Sequence, residues 1–130
     1  MTVTSPVRSL VEKYYGLVDG GRLDDAAGLM TEGVKLTFGN AEPAYGREAA
    51  ASSIAAVVDR TDKIQHSVVT WFEKPGADGA IEALFEIRIK YDLKNGNHVD
   101  IPGCVFVIVN AEGAFTEQRL YGDLHPVFAD

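Results

Sequence analysis

The residues best suited to chemistry in this sequence are one histidine and the groups that could serve it. His66 lies in the otherwise apolar stretch KIQHSVVTWF. Its imidazole can take or give a proton near neutral pH, because the unperturbed pKa of a histidine is ~6.5. A carboxylate at its second ring nitrogen would fix the tautomer, and Asp19 or Asp100 could supply one. Tyr14 could donate a hydrogen bond to a carbonyl or enolate oxygen. The predicted chemistry is proton transfer, with His66, Asp19 and Tyr14 as the catalytic group.

Each of these residues also has a purely structural interpretation, and the sequence leaves both open. His66 could be a core histidine that hydrogen-bonds within a sheet. Asp19 could be a helix-end residue, since two glycines follow it. Tyr14 could be a packed core tyrosine whose hydroxyl is satisfied. Cys104 fits a small buried apolar residue better than a nucleophile.

Composition argues against several classes of partner and cofactor. The chain has 130 residues, a net charge of −7 and a single cysteine, which excludes an internal disulfide framework. An acidic surface repels phosphate groups, so we expect neither nucleic acid nor a membrane as a partner. No His, Cys and Asp cluster has metal-ligand spacing, and no glycine-rich phosphate loop follows a strand. We therefore expect no metal and no cofactor.

The start of the chain and the length of its apolar runs bear on location. The first ten residues, MTVTSPVRSL, lack a basic region followed by an apolar run, so no signal peptide is expected. No apolar run approaches the ~18 residues that span a bilayer. The sequence therefore predicts a soluble cytoplasmic protein, which the single thiol also fits.

Three helices are predicted in the first half of the chain. Ser5 is a good N-cap, and Pro6 suits the first helical position. An apolar stripe at helical spacing follows, and two glycines end the helix. The stripe consists of Val7, Leu10, Val11, Tyr14 and Val18. LDDAAGLM and REAAASSIAAVVDR predict two further helices, with the short strand GVKLTFG between them.

From Lys63 onwards the sequence predicts four long strands. They are KIQHSVVTWFE, AIEALFEIRIKYDL, HVDIPGCVFVIV and AFTEQRLYGDL, separated by turn sequences that contain Asp-Gly or Asn-Gly or end in glycine. The second strand alternates apolar and charged residues, which predicts one dry face and one wet face. Helices followed by a meander of strands predict an α+β fold, a cone-shaped, strongly curved antiparallel sheet with three helices, as one domain over residues 1–130.

The inward positions of such a cone predict an apolar cavity with a few polar points. It suits a hydrophobic, oxygenated molecule such as a polyketide, a terpenoid or a steroid-like compound. The predicted substrate-binding residues are Val18, Phe38, Val68, Ile87, Ile89, Cys104, Phe106, Gln118 and Leu120. The outer sheet face is predicted to carry Val99, Ile101, Val105, Val107 and Val109, with Leu84 and Trp71 beside them. An apolar sheet face of this kind predicts a homodimer.

The order of elements, together with YYGLVDGGRLDDAAGLM, AYGREAA, IQH and QRLYGDLHPVF, resembles the NTF2-like (cystatin-like α+β barrel) superfamily, and within it the SnoaL-like branch. The resemblance covers nearly the whole chain. It implies the cone-shaped fold and sheet-to-sheet dimers. The superfamily hosts isomerases, dehydratases, epoxide hydrolases, polyketide cyclases and non-enzymes, so function must be argued from the site.

Three branches fit poorly at the positions that would carry their chemistry. A ketosteroid isomerase uses a tyrosine on the first helix, an aspartate base and a second, protonated aspartate. The tyrosine matches Tyr14, but the base falls on Phe38 and the second acid on or beside Cys104. For a limonene-epoxide hydrolase, the charged trio falls on Ile87, Ile89 and Leu120, which are apolar. For the SnoaL polyketide cyclases, the Asp and His fall near Leu120 and Phe106.

The scytalone-dehydratase branch fits best. Its helix-end acid matches Asp19, and its QH pair matches Gln65 and His66. Its second histidine has no counterpart between residues 80 and 93, and its water-holding tyrosine falls on Val18, where Tyr14 or Tyr15 could substitute.

The leading hypothesis is a cofactor-independent enzyme that cyclises, dehydrates or isomerises a hydrophobic oxygenated molecule. The alternative is a non-catalytic module that binds a ligand or serves in assembly. An open cavity where Tyr14 and His66 converge would favour the enzyme, and a cavity filled by Phe38, Phe106 and Tyr45 would favour the module.

Overall fold

The computed structural model describes residues 5–129, in which helices pack against one sheet. The helices are α1 (Pro6–Asp19), α2 (Leu23–Ala27), α3 (Arg47–Val58) and α4 (His125–Phe128). The strands are β1 (Met30–Phe38), β2 (Ala44–Tyr45), β3 (Thr61–Pro75), β4 (Ile81–Leu93), β5 (His98–Val109) and β6 (Phe115–Tyr121). The described residues do not include residues 1–4 or residue 130. The first four belong to the stretch interpreted as lacking a signal peptide, and residue 130 is the end of the predicted domain.

Helix α1 has the ends that the sequence predicts. The Ser5 hydroxyl accepts a hydrogen bond from the backbone N of Arg8 at 3.0 Å, and Pro6 occupies the first helical turn. The helix stops before Gly20, and Gly21 has a φ of 75°, which a residue with a side chain adopts only at a cost. Its buried stripe packs against the inner face of the sheet, and Asp19 is its last residue.

The six strands form one curved, unclosed sheet in the order β2-β1-β6-β5-β4-β3. The predicted α+β class is confirmed, with the three expected helices and a one-turn α4 after β6. The sheet is mixed rather than antiparallel throughout, because β1 pairs in parallel with β6 while the other four pairings are antiparallel. The hairpins predicted from the turn sequences account for the antiparallel pairs from β3 to β6, whereas the β1–β6 pairing is remote in sequence.

The register of β5 corrects the predicted assignment of its two faces. Residues directly opposite each other on paired strands share a face. Val105 pairs with Phe85 and with Leu120, which are core residues, so Val105 is on the inner face. Val107 and Val109 are buried with it at 2 % exposure each. The prediction that these valines line the outer face is wrong, and so is the same prediction for Val99 and Ile101, which pack against the core.

Close packing at the inner face explains one glycine of β5. A Cβ atom added to Gly103 would lie 3.1 Å from Leu120 Cδ1 and 3.2 Å from Ile87 Cγ1. A side chain at this position would therefore require the Leu120 and Ile87 side chains to shift by a few tenths of an ångström.

A bulge in β3 corrects the predicted position of Trp71. The register shifts between Val68, which pairs with Ile87, and Thr70, which pairs with Glu86. The extra residue reverses the alternation beyond it. Trp71 therefore pairs with Phe85 and stacks on its ring at a centroid distance of 5.0 Å, on the inner side of the sheet.

Leu84 lies on the outer face as predicted, but its neighbours there are not the predicted ones. Phe72, Leu84, Phe106 and Arg119 lie opposite one another on β3, β4, β5 and β6, and we refer to them as the outer row. Phe72 is 66 % exposed and Leu84 is 44 % exposed. The guanidinium carbon of Arg119 lies 4.2 Å from the centroid of the Phe106 ring.

Candidate active site

A hydrogen-bonded pair joins the end of α1 to β3. His66 Nδ1 lies 2.5 Å from Oδ1 of Asp19, and the backbone N of His66 donates to Oδ2 of the same carboxylate at 2.9 Å. A carboxylate at the C-terminus of a helix faces the negative end of the helix dipole, which is unfavourable. The two N–H groups of His66 offset this cost, so Asp19 and His66 each fix the position of the other.

The contact also selects the tautomer of His66. An ionised carboxylate only accepts hydrogen bonds, so the proton of a neutral imidazole lies on Nδ1 and its lone pair on Nε2. Nε2 has no hydrogen-bond partner among residues 5–129. The His66 side chain is 8 % exposed and that of Asp19 is 21 % exposed. This is the arrangement of a general base with an orienting carboxylate behind it.

Tyr15 holds the plane of the imidazole. Its ring stacks on His66 at a centroid distance of 4.3 Å and an interplanar angle of 21°. Tyr15 in turn makes edge contacts with Tyr14 at 5.1 Å and with Phe85 at 6.3 Å. The His66 ring is thus fixed by a carboxylate in its plane and by an aromatic ring on its face.

A mainly apolar cavity lies between α1, α3 and the inner face of the sheet, and His66 is part of its wall. Its volume of about 50 Å³ is smaller than the ~150 Å³ of an apolar cavity that accepts benzene, so a ring-sized ligand requires lining side chains to move. The residues predicted at the site that line it are His66, Tyr14, Val18, Phe38, Ile87, Gln118 and Leu120. Further lining residues are Tyr15, Leu36, Ile54, Val57, Val58, Ile64, Tyr91, Val105, Arg119 and Leu124.

Four residues predicted to bind substrate lie elsewhere. Cys104 and Phe106 are on the outer face, opposite Glu86 and Leu84 of β4, so their predicted place in the cavity is wrong. Ile89 is buried opposite His66 but does not line the cavity. Val68 lines a cleft on the outside of the α1–β3 junction instead.

That outer cleft gives the buried pair access to solvent. It is lined by Arg8, Glu12, Tyr15, Gly16, Asp19, His66 and Val68. His66 and Tyr15 line both the cleft and the inner cavity, whereas Asp19 lines only the cleft. The imidazole therefore stands between the cavity and water, with its carboxylate on the water side.

Asp100, the other carboxylate considered for His66, has a different partner. Its Oδ1 accepts from Arg88 Nη2 at 2.9 Å and from Nε at 3.1 Å on the exposed face of β4 and β5. The carboxylate that contacts His66 is that of Asp19.

Of the three aromatic residues that the sequence offers as possible fillers of the cavity, two lie outside it. Phe38 is part of the wall, Phe106 is on the outer face, and Tyr45 is 67 % exposed. Both Tyr14 and His66 border the space that remains.

Three tyrosines around the pair stay protonated over the ordinary pH range. Burial raises the pKa of Tyr14, an effect that the nearby Gln118 amide partly offsets. Burial also raises the pKa of Tyr15, to which Tyr14, Tyr91 and the charge of Asp19 add. The pKa of Tyr91 is raised by burial and then by Asp19. Because these phenols keep their protons, they can donate hydrogen bonds but cannot serve as bases.

Tyr15 and Tyr91 border the site but are not among the predicted site residues, and the sequence pattern indicates only one of them. Tyr91 continues the alternation of the inner face of β4, so the pattern itself indicates its position. The stacking of Tyr15 on His66 had no such signal, because it depends on how α1 lies against β3.

Within residues 5–129, no group of three or more His, Cys, Asp or Glu residues is arranged to hold a metal ion. No helix in the same range combines the length and apolar character needed to cross a membrane.

Solved structures from several bacteria share this fold. Aln2 from a Streptomyces species superposes with a TM-score of 0.80 at 16 % identity, over 99 % of this chain and 100 % of its own. A candidate scytalone dehydratase from Novosphingobium aromaticivorans gives 0.81 at 13 % identity, over 90 % and 81 % of the two chains. A candidate polyketide cyclase from Xanthomonas campestris pv. campestris gives 0.68 at 21 % identity, over 93 % of each chain.

Sequence comparison assigns the family. No curated protein matches the sequence. The family model of the SnoaL-like domain matches residues 11–118, from the middle of α1 to the middle of β6, and so includes both Asp19 and His66. The chain therefore has the NTF2-like fold and belongs to the family of SnoaL-like domains.

Proposed function

We propose that the protein is a cofactor-independent enzyme that transfers a proton on a hydrophobic, oxygenated small molecule. The observation that carries the proposal is the His66–Asp19 pair in the wall of a mainly apolar cavity. A polyketide, terpenoid or steroid-like compound fits the chemistry of the lining residues. Cyclisation, dehydration and isomerisation are the reactions that one proton shuttle can serve.

His66 is the acid–base group in this mechanism. Its Nε2 takes a proton from a carbon next to the substrate carbonyl, and Asp19 stabilises the imidazolium that forms. The Tyr14 hydroxyl donates a hydrogen bond to the oxygen where negative charge develops. His66 then returns the proton, to another carbon in an isomerisation or to a departing hydroxyl in a dehydration.

The cavity on one side of His66 and the cleft on its other side have different roles in this mechanism. The apolar cavity keeps water from the reacting carbon, which strengthens the hydrogen bond from Tyr14. The outer cleft lets Asp19 contact solvent, so the pair can exchange its proton with water between turnovers. Two of the structural neighbours carry the names of a dehydratase and of a cyclase, which agrees with reactions of this class.

A second candidate function is a ligand-binding or assembly module without catalysis. It is favoured by the lining of the cavity, where no Asp or Glu occurs among the described residues. The positions of Phe38, Ile87 and Leu120, which correspond to catalytic groups in other branches, carry no ionisable side chain.

We also propose that two copies form a homodimer through the outer row. Phe72 and Leu84 expose apolar surface there, and Glu86 and Arg88 on the same strand as Leu84 could pair across a two-fold axis. A cytoplasmic location remains a prediction from the sequence.

Native mass spectrometry of the purified protein, followed by incubation of any co-purified ligand, tests the proposed function. An enzyme should convert that ligand to an isomer, or to a product lighter by one water, and His66→Gln should not. A ligand that binds and is returned unchanged by the wild-type protein would favour the non-catalytic module instead.

A further inference from the structure

Gln118 is a buried amide with an unused donor. It lies in β6, is 4 % exposed and lines the cavity. Its Nε2 has no hydrogen-bond partner in the part of the chain that the structure describes. An unpartnered buried donor costs free energy, so an acceptor on a bound ligand or a water molecule would stabilise this group.

Gln118 has apolar partners in the sheet and one polar neighbour on α1. Its partners in the sheet are Leu36 of β1 and Val107 of β5, both buried. The Tyr14 hydroxyl lies close enough for the amide to lower the raised pKa of that phenol, yet Nε2 is not in hydrogen-bond geometry with it. Two donors therefore stand together at the β6 side of an apolar cavity.

Gln118 lies apart from the acid–base pair of His66 and Asp19. Gln118 is on β6, His66 is on β3, and β5 and β4 lie between them in the sheet. The rings of Tyr14 and Tyr15 connect the two regions, with Tyr15 stacked on His66. A ligand can thus be held by an oxygen at one side while a carbon faces the imidazole at the other.

We propose that Gln118 determines ligand specificity by donating a hydrogen bond from Nε2 to an acceptor oxygen of the ligand, beside the Tyr14 hydroxyl. The class of ligand is a flat ring compound with a carbonyl oxygen, in preference to a hydrocarbon of the same shape. The proposal rests on the proposed function only in using the same cavity, because binding can be measured without turnover.

Acetophenone and α-methylstyrene test this specificity, because a C=O group in one replaces a C=CH2 group in the other. Dissociation constants measured by NMR titration should favour acetophenone in the wild-type protein. Gln118→Leu should reduce that preference about tenfold, mainly by weakening acetophenone binding. Gln65→Leu is the matched control, since Gln65 is exposed on β3, and it should leave the preference unchanged.

The side-chain amide resonance of Gln118 gives a readout in the wild-type protein itself, which is needed if the variant folds poorly. It should shift on titration with acetophenone and not with α-methylstyrene. An equal preference in the wild type and Gln118→Leu, an unmoved amide resonance, or no binding of either probe would overturn the proposal. His66→Gln should keep the preference, because it leaves Gln118 and Tyr14 in place. A wild-type protein that shows the preference but transfers no proton would sink only the proposed function.

Discussion

The carboxylate of Asp19 holds His66 at two points, with Oδ1 2.5 Å from Nδ1 and Oδ2 accepting from the backbone N at 2.9 Å. The two residues are 47 positions apart in the chain. A hydrogen bond to the ring alone would set the tautomer, whereas the bond to the backbone also fixes the distance between α1 and β3. The contact is therefore both a structural link and the basis of the proposed acid–base group.

Replacing Asp19 with Asn should preserve much of this geometry and remove the charge. We expect turnover to fall by about 10²–10⁴, because the amide no longer supports the imidazolium or requires a proton on Nδ1. The KM should change little, since Asp19 does not line the cavity. Steady-state kinetics with nitrogen NMR of the imidazole measure both effects. Full turnover in Asp19→Asn with an unchanged tautomer would contradict this role.

Tyr15 should act through its ring rather than its hydroxyl. Tyr15→Phe keeps the stacking on His66 and should retain most activity and stability. Tyr15→Leu removes the stacked ring and should lower the free energy of unfolding by about 1 kcal/mol or more, with a loss of turnover that exceeds any change in KM. Chemical denaturation and kinetics measure these effects, with Tyr45→Leu as the exposed control. If Tyr15→Phe is as damaging as Tyr15→Leu, the hydroxyl and not the stacking is what matters.

The raised pKa values of Tyr14, Tyr15 and Tyr91 predict an alkaline limit to stability. Their pKa values are raised in the folded protein above ~10, the value for an unfolded chain, so above that pH the unfolded state releases protons that the folded state retains. Their contribution to stability is complete below about pH 10 and is lost as the pH rises beyond it, at about 1.4 kcal/mol per pH unit for each phenol. Tyrosinate absorbance and circular dichroism should therefore change together for these residues. Ionisation of Tyr14, Tyr15 and Tyr91 in a protein that keeps its full helical and sheet signal would refute this coupling.

The outer row should govern self-association. We expect the wild-type protein to sediment as a dimer and Leu84→Glu to sediment as a monomer, because a charge would then sit in the apolar centre of the interface. Ala56→Glu, on the solvent side of α3, is the control for added charge and should remain dimeric. A monomeric wild-type protein, or a dimeric Leu84→Glu at the same concentration, would rule this interface out.

Local sequence signals are sufficient to predict the helices and strands and to identify the residues of the proposed acid–base group. Ser5, Pro6 and the glycines after Asp19 define α1 because capping depends on neighbours in sequence. The alternation in β4 identifies its inner face because most of its outer residues are charged. His66 stood out because it is the one histidine in an apolar stretch.

The faces of β5 and β3 could not be assigned in the same way. In β5 both alternating sets are apolar, so periodicity defines two faces without saying which one is buried. The sequence therefore favours Cys104 and Phe106 as cavity residues, although Val105 lines it. The bulge after Val68 moves Trp71 to the other face, and no residue type in the strand marks it. Both features are set by pairing between strands.

Deuterium uptake from D2O into 2-tetralone, a bicyclic ketone with an acidic C–H beside its carbonyl, tests the central claim most directly. The wild-type protein should accelerate this exchange above the rate in buffer, and His66→Gln should reduce the acceleration by about 10²–10⁴. His98→Gln is the matched control, since His98 Nδ1 also contacts a carboxylate, Asp92 Oδ1 at 2.7 Å, but lies on the exposed surface. It should exchange like the wild type. Equal acceleration by the wild type and His66→Gln, or none by the wild type, would contradict proton transfer by His66 in this cavity.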